Sequence, residues 1–268
     1  MASDLEICNA ALMRLGSEPI TSFSDSSKRA KLCLAHYDRI KKDLISDNPW
    51  NFSLKRVELL ADKATFADTD VIVGADTITI TAHGQSTGQR ARLSSVNTVP
   101  TGLLEGTEYY IIKVDANTIK LATSYSNANA GTAIDITATT TGSFDLVYAA
   151  LFDFKYRFTA PNDYLTISRV EPDYAEYQIE GDYIYSTDLT FRMIYQASAK
   201  EKNFSIYFNQ ALILKLAVEF SYSMIQSNEL GLKLIEEADR ALRQARLKDS
   251  QEGTPYPMTA DQWRTSRL

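Results

Sequence analysis

Cys8, Cys33, His36 and His83 are all the thiol and imidazole groups in the 268 residues. Cys33 and His36 stand three apart, a spacing that puts both on one face of a helix and could support a thiolate–imidazole nucleophile. Nothing near them supplies an orienting third group or an oxyanion hole. We therefore read Cys33 as a core residue with His36 at the core's edge. Cys8 and Cys33 could meet where two helices pack, as a pair of buried thiols rather than a disulfide. A structural zinc site takes four Cys or His ligands, and two of these four would come from scattered positions. We expect no metal, no cofactor and no catalytic residues.

Two further groups have chemistry to offer. Glu171, Asp173, Glu176, Glu180 and Asp182 cluster among tyrosines, where two carboxylates could act as a glycosidase pair. The solvated face of a β-meander accounts for the same pattern. Arg240, Arg243 and Arg246, followed by Lys248, lie along the last predicted helix and could face DNA phosphates or an acidic partner. Those cations also offset a helix macrodipole, and Glu236 and Glu237 sit one turn before Arg240. The chain lacks a phosphate-binding G-x-x-x-x-G-K-[ST], a G-x-S-x-G elbow and an H-E-x-x-H zinc helix.

Composition places these groups in three segments. Residues 68–147 hold seven of the eleven glycines, fifteen threonines and only four of the 28 aromatic residues. Glycine turns and threonine-rich period-2 runs, from Val71 and Val73 through Ile78 and Ile80 to Phe144 and Leu146, predict a small β-sandwich or barrel inserted into a host. Asp115-Ala116-Asn117 reads as a hairpin turn.

The host, 1–67 and 148–248, reads as an α+β domain: a helical bundle with a small antiparallel β-meander. Ser3-x-x-Glu6 is a capping box that opens a helix, with Leu5, Cys8, Leu12 and Leu15 as its stripe, and Gly16 stops it. A second helix runs from Ser26 or Ser27 to about Ser46 and ends at Asn48-Pro49. Phe152, Phe154, Tyr156 and Phe158 alternate with Asp153, Lys155 and Arg157 as a half-buried strand. Gly181 turns a hairpin between Tyr177 and Tyr185. Ile206 to Met224 is apolar almost all round, and Gly231 is expected to break or kink this helix. Residues 249–268 are expected to form an extended tail.

Net charge is −6, which gives no global attraction to a phosphate backbone. No apolar stretch reaches the roughly 20 residues of a membrane span. The acidic opening, with Asp4 and Glu6, is unlike a signal peptide.

Two sets of motifs carry a resemblance. The first runs Ile7-Cys8-Asn9-Ala10-Ala11-Leu12, Leu15-Gly16-Ser17-Glu18-Pro19-Ile20 and Asn48-Pro49-Trp50-Asn51-Phe52. It resumes with Phe154-Lys155-Tyr156, Ala160-Pro161-Asn162-Asp163-Tyr164-Leu165 and Val170. It then continues through Ile179-Glu180-Gly181-Asp182-Tyr183-Ile184, Ile194-Tyr195 and the helix from Phe208 to Glu219. In order and spacing these segments, roughly 1–65 and 150–248, resemble the head-to-tail adaptor proteins of short-tailed phages, the tail tubular protein A family. The insert resembles a β module of phage tail proteins through His83-Gly84-Gln85-Ser86-Thr87-Gly88, Leu103-Leu104-Glu105-Gly106-Thr107-Glu108-Tyr109-Tyr110 and Ala116-Asn117-Thr118-Ile119-Lys120-Leu121-Ala122. The better-known adaptors lack this insert.

The resemblance implies a non-enzymatic virion protein of the tail or neck, present in the host cytoplasm during assembly. It implies a homo-oligomeric ring of roughly twelve copies that joins the portal protein to the nozzle or next tail protein. Genomic DNA would pass through the ring's channel, and no membrane would be engaged. It also implies portal binding by the C-terminal region, with Tyr256, Trp263 and Arg264 as the contact residues. The competing expectation is a tail-associated carbohydrate-binding or cell-wall hydrolase component.

Overall fold

The computed structural model describes residues 3–95, 98–224 and 228–252. Helices α1 (Asp4–Arg14) and α2 (Lys28–Ser46) come first. Strands β1 (Leu54–Leu60), β2 (Lys63–Ala67), β3 (Val71–Ile72), β4 (Thr77–Thr79), β5 (Arg90–Ser94), β6 (Glu108–Lys113) and β7 (Thr118–Ala122) follow. A short helix α3 (Tyr125–Ala130) precedes β8 (Ser143–Tyr148), β9 (Tyr156–Thr159), β10 (Tyr164–Glu171), β11 (Tyr177–Glu180), β12 (Tyr183–Ser186) and β13 (Thr190–Ala197). Helices α4 (Ile206–Met224) and α5 (Asn228–Gln251) close the described chain. The class is α+β, with helices and antiparallel sheets in separate runs. Two compact units result: Met1–Lys55 with Asp163–Ser168 and Ile194–Leu268, and Arg56–Asn162 with Arg169–Met193.

In the first unit the capping box forms as read: Glu6 N donates to Ser3 Oγ at 3.2 Å and Ser3 N to Glu6 Oε2 at 2.8 Å. Gly16, at φ 70°, turns the chain out of α1. The face α1 buries is Ile7, Cys8, Ala11 and Leu12, while Leu5 and Leu15 are only partly covered. Asn9 fixes the loop that follows, donating to Ile20 O at 2.9 Å and accepting from Ile20 N at 2.8 Å. Helix α4 is central, with α1, α2 and α5 all packing on it. Phe208 lies at one end of this core, with the rings of Trp50, Phe52 and Phe204 at 5.0, 4.8 and 4.8 Å. Full burial of such a ring stabilises by about 2–3 kcal/mol.

The structure differs from the sequence reading at both ends of α5. Gly231 lies inside α5, which begins by Asn228, and does not break the helix. One glycine costs a helix only about 1 kcal/mol, which the buried face of Leu234, Ala238, Ala241, Leu242 and Ala245 outweighs. Helix α5 also runs to Gln251, three residues into the expected tail. The cause is Asp249, whose carboxylate accepts from Asn51 N at 3.1 and 3.2 Å and whose carbonyl accepts from Asn51 Nδ2 at 2.6 Å.

In the second unit a seven-stranded antiparallel sheet runs in the order β2-β8-β5-β6-β7-β4-β3, and a three-stranded one in the order β11-β12-β9. The large sheet buries Phe66, Ile78, Leu93, Ile111, Ile119, Leu121, Phe144 and Leu146 in one core. Strands β1, β13 and β10 pair in that order as a further sheet. Strand β2 adds Lys63–Ala67 to the large sheet, so its edge lies before residue 68. Helix α3 interrupts the expected all-β insert; Ser124 caps it and Gly131 ends it at φ 75°. The expected strand through Phe152 and Phe154 begins only at Tyr156, and Phe152 is exposed.

Gly102 is held at φ +105°, and a Cβ there would lie 2.2 Å from the Asp135 carbonyl oxygen. Gly102→Ala should therefore cost about 2 kcal/mol. Urea unfolding checks this, with the loss appearing as a lower midpoint at unchanged slope.

Candidate functional site

The first unit carries a surface cleft of about 380 Å³ lined by residues including Lys55, Asp163, Lys200, Lys202 and Asn203. Lys55 comes from β1, Asp163 from the turn before β10, and the last three from a turn of 3₁₀ helix and its flank before α4. Two backbone bonds set the frame: Ala197 N donates to Ser53 O and Ser198 N to Asp163 O, each at 2.8 Å. Lys55 pairs with Asp163, and Tyr195 donates to the other carboxylate oxygen at 3.0 Å. The Lys55 bond holds the Asp163 carboxyl below the usual range, against partial desolvation and with help from Tyr195. Burial and the facing carboxylate push Tyr195 up to about 12, so at neutral pH it stays a donor.

Glu201 lies between Lys200 and Lys202 in sequence but is bonded elsewhere. It accepts from Tyr37 OH at 3.1 Å and from Lys41 Nζ at 2.9 Å, both on α2. Burial works against its charge, yet its backbone bond, Lys41 and Tyr37 together lower its pKa. The ion pair with Lys41 therefore stabilises the folded chain fully above roughly pH 4.3, where a free glutamate titrates, and is lost as pH falls through the lower folded value.

The second unit holds a more deeply buried charge. Arg157 Nε donates to Asp62 Oδ2 at 3.2 Å and Nη1 to Gln85 Oε1 at 3.3 Å. Its guanidinium lies 4.7 Å from the Tyr148 ring centroid and 4.4 Å from that of Tyr183. Asp62 also accepts from Thr159 N and Oγ1 at 3.0 and 2.8 Å. Gln85 is held by His83, whose Nδ1 accepts from Gln85 N at 2.9 Å while Nε2 faces Asp115 O at 2.9 Å; this sets the tautomer with the proton on Nε2. Burial pushes the Tyr148 phenol up, against the pull of the Arg157 charge. This cage groups β9 and the β11–β12 hairpin with the large sheet, whereas composition alone had placed them with the helices. The alternation had set Arg157 on the solvent side, but its residue is 7% exposed. Only the tyrosines near it in sequence, at 148 and 156, hinted at a cation with aromatic company.

The residues singled out from sequence stand as follows. Arg240 and Arg243 are exposed on α5, whereas Arg246 is half-buried and pairs with Asp47 at the end of α2. Tyr256, Trp263 and Arg264 lie outside the described residues. Cys8 and Cys33 are free and buried together; the hydrogen bond to Cys33 and desolvation push the Cys8 thiol up. His36 Nδ1 lies 3.3 Å from Glu219 Oε1, which also accepts from Arg39 at 2.6 Å. Glu171, Asp173, Glu176, Glu180 and Asp182 are all exposed, and Glu171 pairs with Arg169. Among the described residues no three His, Cys, Asp or Glu side chains are grouped to hold a metal ion, and no helix is long and apolar enough to cross a membrane.

No model of a known protein family matches the chain, and no curated protein matches it.

Three outcomes test these assignments. Arg157→Met should cost about 3 kcal/mol, because Asp62 then keeps a largely buried charge without its cation. Arg157→Lys should recover little of it, since an ammonium cannot lie flat between two rings. Both are read as urea midpoints. The stability gap between wild type and Glu201→Gln should be full at about pH 6 and shrink as pH falls below about 4.

Proposed function

We propose that this chain is a structural connector of a phage virion, which assembles as a ring between the portal and the next tail component and lines part of the DNA path. The observation that carries the reading is where the resembling segments meet in the first unit. Asn9 locks onto Ile20, Trp50 donates to Leu44 O at 2.7 Å, Asn51 ties to Asp249, and Asp163 takes Tyr195. The resembling segments of this unit thus fall on the joints of a helical scaffold, each satisfying a backbone or buried polar group, as expected of a chain whose task is to hold shape; Phe154-Lys155-Tyr156 and the 179–184 hairpin lie in the second unit.

The same unit leaves large apolar side chains uncovered on its helices: Tyr222 on α4 is 75% exposed, with Leu230 and Leu232 on α5 also uncovered. A groove of about 350 Å³ between α1 and α4 has Ile206, 82% exposed, in its lining and holds Asn209, whose Oδ1 is buried without a hydrogen-bond partner among the described residues. Apolar surface of this kind is what a neighbouring copy or partner covers. In a heterologous ring each contact is repeated by symmetry, so a modest interface is multiplied by avidity.

Native mass spectrometry of the full chain, alone and mixed with portal particles of its own virion, tests the proposal. A shift to portal plus about a dozen copies is expected, and removal of residues 253–268 should abolish it. Intact chain that leaves its own portals unshifted would sink the connector reading.

A further inference from the structure

We propose that the cleft lined by Lys55, Ser198, Lys200, Lys202 and Asn203 binds a phosphate group, with the Lys200 and Lys202 ammonium groups as its principal contacts. The inference goes beyond the connector reading and does not rest on it. Three observations converge.

First, the Lys200-Glu201-Lys202 run would be nearly self-neutralising if all three side chains faced one way. The structure separates them: Glu201 is bound by Tyr37 and Lys41 on α2, while Lys200 and Lys202 line the cleft without an ion-pair partner among the described residues. Second, the cleft's one carboxylate is already engaged. Asp163 takes Lys55 on one oxygen and Tyr195 on the other, so it neutralises one lysine and leaves two. The lining carries three lysines against one aspartate, a surplus of two positive charges in a chain whose net charge is −6. Third, the side chains of Ser198 and Asn203 make no hydrogen bond among the described residues and supply neutral donors beside the lysines.

A phosphate monoester carries nearly two charges at neutral pH and several acceptor oxygens, which suits two point-charge donors and an amide. At about 380 Å³ the cleft has room for more than the bare ion, so an ester substituent also fits.

Isothermal titration of the full chain at low salt, with inorganic phosphate and separately with a short oligothymidylate, tests the site and its source. Phosphate should bind with a dissociation constant on the order of 1 mM. Lys200→Gln with Lys202→Gln should weaken it about tenfold, and Arg240→Gln on α5 should not. Both cleft lysines are exposed, so the double variant should keep the wild-type circular dichroism; raising the ionic strength of the wild type should independently weaken binding. Tighter binding of the oligothymidylate, equally sensitive to the double variant, would place the phosphate in a nucleic-acid backbone. Binding of phosphate alone would make it a free ion or ester. No heat with either probe, equal binding of succinate, or unchanged affinity in the folded double variant would overturn the proposal.

Discussion

A guanidinium has no neutral form to adopt in a protein, so a buried arginine dictates its surroundings. Arg157 is that constraint in the second unit. Taking its charge out of water costs several kcal/mol, and only well-placed acceptors and ring faces offset the loss. Asp62, Gln85, Tyr148 and Tyr183 provide them, and each must in turn be fixed. Asp62 N donates to Arg157 O at 2.7 Å and Asp62 O accepts from Tyr148 N at 2.8 Å, which ties β8 and β9 to the residue between β1 and β2. Gln85 depends on His83, and His83 on the carbonyl of Asp115 in the β6–β7 turn. One charge thus accounts for a chain of polar contacts from the meander to the far turn of the large sheet.

The first unit meets the same demand with neutral groups placed where helices end. The last carbonyls of α2 have no partner within the helix. Leu44 O accepts from Trp50 Nε1, and Ile45 O from Gln196 Nε2 at 2.8 Å, with Asn48 O taking the same amide. Trp50 therefore has two tasks, an indole N–H that closes a helix and a ring that packs on Phe208. Removing that one side chain would open a cavity and orphan a carbonyl together, which binds the helix boundary to the core.

What the sequence made legible was local chemistry. Ser3 with Glu6, Ser27, Gly16, Asn48-Pro49 and the Gly181 turn each depend on a few neighbours, and each stands where the residues placed it. The α+β class followed from these signals and from period. The misreadings share a cause, in that the deciding partner lies far along the chain. Period-2 alternation gives Arg157 a face but does not reveal that Asp62 and Gln85 wait on that side. Asn51 and Asp249 are 198 positions apart, and Lys55 and Asp163 are 108 apart, so neither pair leaves a pattern in a window. Helix α3 is the exception: Ser124 and Gly131 are ordinary cap residues, and the threonine-rich surroundings outweighed them. The cleft was missed because Lys200-Glu201-Lys202 reads as a balanced surface run until Glu201 is seen bonded to α2.

Charge also bears on how copies of this chain could associate. A net charge of −6 repeated around a ring makes like-charge repulsion grow with each added copy. Salt screens it beyond about 10 Å, so attraction between neighbours must come from short-range contacts. The exposed Tyr222, Leu230 and Leu232 are suited to that task, and the charge row Glu229, Lys233, Glu236 and Arg240 on α5 alternates in sign in a way that adds direction more than strength. Assembly of this kind would tighten with salt at first, as repulsion is screened, whereas the lysine cleft would weaken under the same change. Opposite responses to one variable would separate the two surfaces, because one depends on apolar area and the other on uncompensated charge.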